Sequence, residues 1–414
     1  MNTDQKMSAL EDVWLQVFAL LLIVSGIFSL HYMLRPAQAM PLPAQTALPL
    51  PARPVQTGGG APPTEVPPET THKDVSAAAA QLHGTAAETP APPKAPGRWV
   101  VGSGGGPGVN YASLGEAVAR AADGDTITLR PGTYEVSALT SKSLTISGEG
   151  RSPEEVELTN SLNPTFAIAG GRVVMENLSI ANTSQVDYWA LSVSRAALVL
   201  RNVNVKSSGK GVKVLDAELE ASDCEFESSA GLSVSGKSRV KLSGVSVTGR
   251  VIGISVQDPS ADLQLGNSHI SGGGGAGLRV SDGAWARVSG TTIANNRYAG
   301  IMVASGAEVR VSKSQLTGNG ECGAYIEENG KLIMEKVTLT RNKCGVGFAG
   351  GGTLEVRGNK FSENSMGAVA VSPLQGDKAL ITGGGNSGLL VPGEKRPAAK
   401  KRAPAAEMGT GSRE

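Results

Sequence analysis

Gly300-Ile301-Met302-Val303 recurs 23 residues later as Gly323-Ala324-Tyr325-Ile326 and, after 22 more, as Gly345-Val346-Gly347-Phe348; Gly277-Leu278-Arg279-Val280 stands 23 residues before the first. A longer series runs through the same stretch. Ile180, Val205, Phe226, Val247, Ile270, Ile293, Leu316, Leu339 and Phe361 are separated by 25, 21, 21, 23, 23, 23, 23 and 22 residues. Within each unit apolar and polar residues alternate, which is the period of a strand. Short strands at a fixed spacing in the low twenties, with no helical periodicity, predict an all-β solenoid in which each repeat is one coil. A leucine-rich repeat has a similar period, but its Leu-x-x-Leu-x-Leu-x-x-Asn signature is missing.

Two further patterns support that register. Asn296, Asn319, Asn342 and Asn364 each follow an apolar anchor by three residues, so stacked coils would join them in an amide ladder. Charges also fall into columns. Asp216, Glu218 and Glu220 lie 21 residues before Lys237, Arg239 and Lys241, and Arg195 lies 21 before Asp216. Glu308 precedes Lys331 by 23, while Glu335 precedes Arg357 and Arg341 precedes Glu363 by 22. Opposite charges on neighbouring strands favour a register by about 0.2–1 kcal/mol per pair.

Outside the repeats the chain changes character. Residues 1–12 form a short stub, and Val13 to Leu34 is a run of 22 mostly apolar residues. That length spans a bilayer as a helix, for which about 20 residues suffice, and it exceeds the core of a signal peptide. The expectation is an uncleaved single-pass anchor with the large domain exported. Cleavage near Ala39, where Ala37-Gln38-Ala39 has the small-x-small form, is the alternative, leaving a secreted or periplasmic protein. Residues 35–97 carry 14 of the 23 prolines and read as a disordered spacer. Residues 98–391 form the repeat domain. Residues 392–414 form a basic disordered tail, with Lys395, Arg396, Lys400, Lys401 and Arg402, open to solvent or to anionic lipid and envelope polymers. Residues 98–391 hold 27 basic and 27 acidic residues, which gives no case for nucleic acid.

The repeats are preceded by Ser113-Leu114-Gly115-Glu116-Ala117-Val118-Ala119-Arg120-Ala121-Ala122. Ser113 and Glu116 are spaced as a capping box. Leu114, Ala117, Val118 and Ala121 make one apolar stripe, and Gly124 suits the stop. A short helix here would cover the open end of the solenoid core. Gly124-Asp125-Thr126-Ile127, Pro131-Gly132-Thr133-Tyr134 and Leu144-Thr145-Ile146-Ser147-Gly148-Glu149-Gly150 follow. This succession resembles the N-terminal cap of right-handed parallel β-helices of the pectin-lyase-like group. The group includes pectate lyases, pectin methylesterases and carbohydrate-binding modules. The resemblance covers about residues 98 to 391 and implies a right-handed parallel β-helix of about ten coils of 21–25 residues. It is specific for the fold and carries little about activity.

Three cysteines make no disulfide framework. Cys322 and Cys344 share a column with Ala299 and Met366, and the expectation is a plain apolar stack, with a disulfide as the alternative. Cys224 is expected to be structural.

The group's catalytic signatures are absent. Pectin methylesterase-like enzymes carry Gln-Asp-Thr-Leu and Asp-Phe-Ile-Phe-Gly segments. Polygalacturonase-like enzymes use Asn-Thr-Asp, paired aspartates, Gly-His-Gly and Arg-Ile-Lys. None of these strings occurs. Uronate epimerase and lyase relatives use Asp-Pro-His-Asp, and here Asp258-Pro259-Ser260-Ala261-Asp262 lacks the histidine. A weaker constellation remains in Lys237, Arg239, Asp258 and His269: a cation to neutralise a uronate carboxylate, and an acid or imidazole to move a proton. Its plain explanation is a surface histidine and a turn-forming Asp-Pro. Asp216 to Glu227 offers six carboxylates to Ca²⁺, yet a charge ladder explains them without a metal, and no other cofactor is implied.

Binding has the better case. Trp285 should project outward between Asp262 and Glu308, where an indole takes the apolar face of a pyranose and the acids its hydroxyls. Arg279, Met302 and Tyr325 should form a second outward row. The expected role is a membrane-tethered, non-catalytic carbohydrate-binding or scaffolding module at the cell envelope. A polysaccharide lyase, hydrolase or epimerase with a non-standard site and a protein-interaction scaffold are the alternatives.

Overall fold

Parallel pairing dominates the architecture because each coil returns to the same direction one strand spacing further on. The structure, a computed structural model, describes residues 95–389 apart from 162–163, 185, 187 and 372–378. The expected stub, anchor and basic tail, and the spacer up to residue 94, lie outside the described residues. Among the described residues no helix is long and apolar enough to cross a membrane.

The strands, from Arg98–Val101 to Ala379–Gly384, build a solenoid of about eleven turns. Each turn contributes to three parallel sheets. In the first sheet, Leu219, Val240, Leu263, Ala286, Val309, Leu332 and Leu354 stack in one inward column. In the second, the repeat anchors Ile180 to Phe361 pair one on the next in the expected register. In the third, Leu278, Ile301, Ala324 and Val346 do the same. Nearly all of these side chains are fully buried, and burying one Val, Leu, Ile or Phe contributes about 1.5–3 kcal/mol.

The turn lengths are less regular than expected. Ile127, Ile146, Met175 and Leu200 stack at spacings of 19, 29 and 25, so the first turns depart from the 21–25 range. The extra residues sit in turns, where they leave the register of the sheets intact.

The amide ladder forms. The Nδ2 groups of Asn296, Asn319 and Asn342 donate to the Oδ1 of the next asparagine at 3.0, 3.0 and 3.1 Å, and the same oxygens accept the backbone N–H of the preceding residue in the column. A second ladder was not expected. Where the first sheet turns into the second, Ser268, Thr291 and Ser314 accept backbone N–H groups from the previous coil, and Asn359 and Asn386 continue the series. These turns also place Asn202, Asp223, Asn267, Lys313 and Lys336 at positive φ, a conformation L-residues adopt at a cost of about 1–2 kcal/mol.

The helix, α1 (Leu114–Arg120), is shorter than its apolar stripe. Ser113 Oγ accepts the Glu116 N–H at 3.2 Å, and Leu114, Ala117 and Val118 are buried. Ala121 leaves the helix yet stays in the core. Lys142 Nζ closes its C-terminus, donating to the carbonyls of Val118, Ala119 and Ala121 at 2.9, 2.8 and 2.7 Å, where unpaired carbonyls and the helix dipole favour a cation. Buried Asp125 accepts from Gly97 N, Trp99 Nε1 and Ala122 N at 2.6, 2.7 and 2.9 Å. It ties the first strand, the helix exit and the second strand together. Tyr134 donates to the carbonyl of Arg130 at 2.6 Å and reaches that of Val101 at 3.2 Å. Burial pushes its phenol above the usual range.

The apolar stack expected at Cys322 and Cys344 is corrected. The two pair in register and are joined by a disulfide, with Cα atoms 4.5 Å apart. Parallel strands bring stacked residues within disulfide reach without backbone movement. Met366 does not extend the column and is exposed. Cys224 is buried, and desolvation pushes its thiol up to about 11, which keeps it a neutral core group.

Replacing Cys322 and Cys344 by serine should lower stability by about 3 kcal/mol, as expected for a loop of this length; denaturant unfolding with and without reductant measures it, and the variant should be insensitive to reductant. Asp125→Ala should cost about 3 kcal/mol by stranding three donors, read as a lowered unfolding midpoint.

Candidate functional site

The outward face of the first sheet carries the densest chemistry. One column runs Glu218, Arg239, Asp262, Trp285, Glu308, Lys331. A second, two residues along each strand, runs Glu220, Lys241, Gln264, Arg287, Arg310. Charge alternates along the first column except at Trp285, which stands where alternation would place a cation.

The neighbours adjust to that break. Arg287 lies over the indole, its guanidinium carbon 5.2 Å from the ring centroid, a cation–π geometry. Glu308 is held from the other side by Arg310 Nε at 2.8 Å and Lys331 Nζ at 3.3 Å. Burial alone would raise the Glu308 carboxyl, but the hydrogen bonds and charges of Arg310 and Lys331 outweigh it and hold the group below the usual carboxylate range. Lys331 also reaches Glu355 at 3.8 Å. Asp262, on the far side of the indole, keeps Oδ1 buried without a hydrogen-bond partner in the protein.

Next to this platform lies a shallow depression of about 230 Å³, lined by Glu218, Glu220, Arg239, Lys241, Asp262 and Gln264. A second, of about 320 Å³, adjoins it through Glu220 and Lys241. Small-molecule pockets usually enclose about 300–1,000 Å³. Open depressions below and at the low end of that range suit an extended polymer lying along the sheet better than an enclosed small ligand.

The sequence-predicted residues separate into groups. Trp285 is flanked by Asp262 and Glu308, and Arg239 sits beside Asp262 on the same face. Lys237 and Asp258 lie in the turns leading into the sheet, where Asp258 adopts φ 88° and accepts the Gly236 N–H at 2.7 Å. Lys237 donates its backbone N–H to Asp216 at 2.9 Å. Asp258 therefore aligns with Gly236, and Lys237 falls one residue off the expected column, because the third sheet steps by 20 residues where the first steps by 21. His269 opens a strand of the second sheet beside Ser246 and Thr292. The strand Asp262–Gly266 intervenes between it and Asp258, which is about 16 Å of extended chain. The four residues of the proton-transfer constellation are not brought together. Arg287 and Arg310 were missed, although Arg287 follows Trp285 by two residues and Arg310 follows Arg287 by 23.

The acidic run from Asp216 behaves as a ladder. Glu218 pairs with Arg239 at 3.6 Å, and Glu220 faces Lys241. Among the described residues no group of three or more His, Cys, Asp or Glu side chains converges to hold a metal ion. Glu335 shares register with Arg357 but pairs with Lys336 at 3.4 Å.

The second row, Arg279, Met302 and Tyr325, lies side by side on the third sheet. Tyr325 does not stand free. Its ring covers Gly347 so closely that a Cβ there would approach Cδ2 to 2.4 Å and Cys322 Sγ to 2.8 Å. Tyr298 packs against it edge-on, centroids 5.5 Å apart. Burial, then the neighbouring Tyr325 and the charges of Glu327 and Glu321, push the Tyr298 phenol well above its usual range.

Residues 230–386 match the family described as right handed beta helix region. Over that stretch the chain has the fold of a right-handed parallel β-helix. No curated protein matches the β-helix by sequence. Among solved structures it is similar to the A-module of a mannuronan C-5 epimerase from Azotobacter vinelandii, at 11% identity over 67% of this chain and 91% of that one, TM-score 0.43. A pectin methylesterase from Erwinia chrysanthemi is 11% identical over 58% and 88%, TM-score 0.36. A lacto-N-biosidase from Eubacterium ramulus is 12% identical over 70% and 67%, TM-score 0.47. At such identities none of their residues is carried over to the β-helix.

Tyr325→Ala should lower stability by about 2 kcal/mol, through lost aromatic packing over Gly347, whereas Arg279→Ala should leave thermal unfolding unchanged; the pair separates a structural lid from an exposed contact residue.

Proposed function

We propose that the β-helix is a non-catalytic carbohydrate-binding module working outside the cytoplasm at the cell envelope. The observation that carries the reading is the break in the first charge column. Trp285 takes the place of a cation between two carboxylates, Asp262 and Glu308. An indole edged by carboxylates and guanidinium groups suits a pyranose, which presents an apolar face to the ring and hydroxyls to the rim. Arg287 covers one approach to the ring and exchanges its cation–π contact for a contact with the sugar. The open depressions beside the platform extend the surface along the sheet for further residues of a polymer.

Separation of Asp258 and His269 by the full length of a strand supports binding over proton transfer, since an acid and a base must both reach one substrate. The Cys322–Cys344 disulfide supports export, because disulfides form and persist in oxidising compartments. Residues 13–34 then serve as a single-pass anchor and residues 35–97 as the spacer that carries the domain away from the membrane; release by cleavage near Ala39 would leave the same module in solution.

Retention of the purified protein on immobilised acidic and neutral polysaccharides tests the reading, with mass spectrometry of the same incubations for products. Trp285→Ala should weaken retention about ten-fold, equivalent to about 1.4 kcal/mol, while thermal unfolding stays unchanged. New oligosaccharides or altered uronates would overturn the non-catalytic reading, and retention indifferent to Trp285→Ala would overturn the site.

A further inference from the structure

The ridge formed where the second sheet turns into the third has a different character from the sugar-facing sheet. Val186, Tyr188 and Val251 are 59%, 37% and 62% exposed there, in a solenoid whose other valines are mostly buried. Their exposure has a local cause. The turn stacked on Val186 and Tyr188 contains Gly209, whose Cβ position lies within about 3 Å of both their carbonyls, and Lys210 N–H bonds the Tyr188 carbonyl at 2.9 Å. The turn stacked on Val251 is Gly274-Gly275, bonded to Arg250 and Val251 at 2.9 and 2.8 Å. No side chain from these neighbouring glycines covers the apolar groups. Val186 and Val251 are three coils apart, about 14 Å along the ridge.

Cations accompany them. Arg250 reaches back two coils to donate to the carbonyls of Ser207 and Ser208, which fixes its charge on the ridge. Lys206 and Arg250 line a depression of about 240 Å³ with Asn182, Thr183, Ser208 and Glu227, and Lys210 sits over the Trp189 ring at 5.5 Å. Among the described residues Glu227, in register with Lys206, is the acid of this group.

Protruding aliphatic groups, an adjacent tyrosine and tryptophan, and fixed cations make this ridge both apolar and basic. We propose that this ridge docks on the surface of a bilayer containing anionic phospholipid. The valines and Tyr188 enter the boundary between headgroups and acyl chains, and Lys206 and Arg250 meet lipid phosphates. The docked ridge would set the solenoid against the membrane with the first sheet on another side, open to polymer. The proposal does not depend on the sugar-binding reading.

The full-length protein carries a usable probe site, because Cys224 is buried and the other two cysteines are paired. Val251→Cys is spin-labelled and the protein reconstituted in vesicles of phosphatidylcholine, with or without phosphatidylglycerol. A matching label at Gln264→Cys, exposed on the first sheet, serves as reference. Flotation reports attachment of the chain, and the labels report which surface meets lipid. The expected result is a drop of about ten-fold in access of an aqueous relaxant to position 251 on adding phosphatidylglycerol, reversed by high salt, with position 264 unaffected. Val186→Ser with the same label should reduce the drop. A label at 251 that stays equally aqueous in both vesicles, or both positions shielded alike, would overturn the proposal.

Discussion

Parallel stacking at a constant strand spacing is the constraint from which the rest follows. Each residue lies about 4.8 Å from its counterpart in the next coil, so every column must be compatible with itself. Apolar columns satisfy this by packing, and asparagine columns by donating Nδ2–H to the next Oδ1 while that oxygen also accepts a backbone N–H. An isolated buried amide in the same turn would be left with unmet hydrogen bonds; in a ladder each is satisfied by its neighbour. Stability is consequently a sum over adjacent coils, and irregular turn lengths are tolerated wherever the excess residues leave the sheets in step.

The constraint cannot be met at an end, and the N-terminal end shows how it is resolved. The helix α1 supplies three buried side chains and seven residues in all, too few to hold a helix in isolation. Its persistence rests on Ser113 at the start, Lys142 at the finish and Asp125 behind it. Lys142 comes from a later turn and Asp125 bonds the strand that precedes the helix, so the cap forms together with the first coils and not before them.

Much of this was legible. The anchors Ile180 to Phe361 fall into one column because spacing in sequence is spacing around the coil, and the asparagines after them inherit the same register. The Ser268, Thr291 and Ser314 ladder went unseen because hydroxyl residues are common on both exposed and buried turns, and Asn359 and Asn386, which continue the series, differ in type. Lys313 and Lys336 at positive φ gave no signal, since glycine or asparagine is what that conformation favours. Spacing placed Ala299, Cys322 and Cys344 in one column and failed only at Met366; the bond itself depends on oxidation, which spacing does not record. Lys237 does not continue the Arg195 and Asp216 column because a single period does not hold around the whole coil: the sheets step by 20 or 21 residues there. Tyr325 has the outward parity of its strand, but parity does not fix a rotamer, and an absent side chain at Gly347 allowed the ring to fold down.

A solenoid surface defaults to compensated columns, because opposite charges in adjacent coils support the register and like charges oppose it. A departure therefore carries information that the column itself does not. Glu218, Arg239, Asp262, Trp285, Glu308 and Lys331 alternate in sign except at the tryptophan. A lysine at that position would pair with both acids and leave nothing unsatisfied. With the indole there, Glu308 must be neutralised from Arg310 and Lys331, Arg287 is drawn over the ring, and Asp262 keeps an oxygen without a protein partner. Local rules are broken mostly where a surface is used, and it is that broken alternation, not any motif, that singles out Trp285 as the centre of the candidate site.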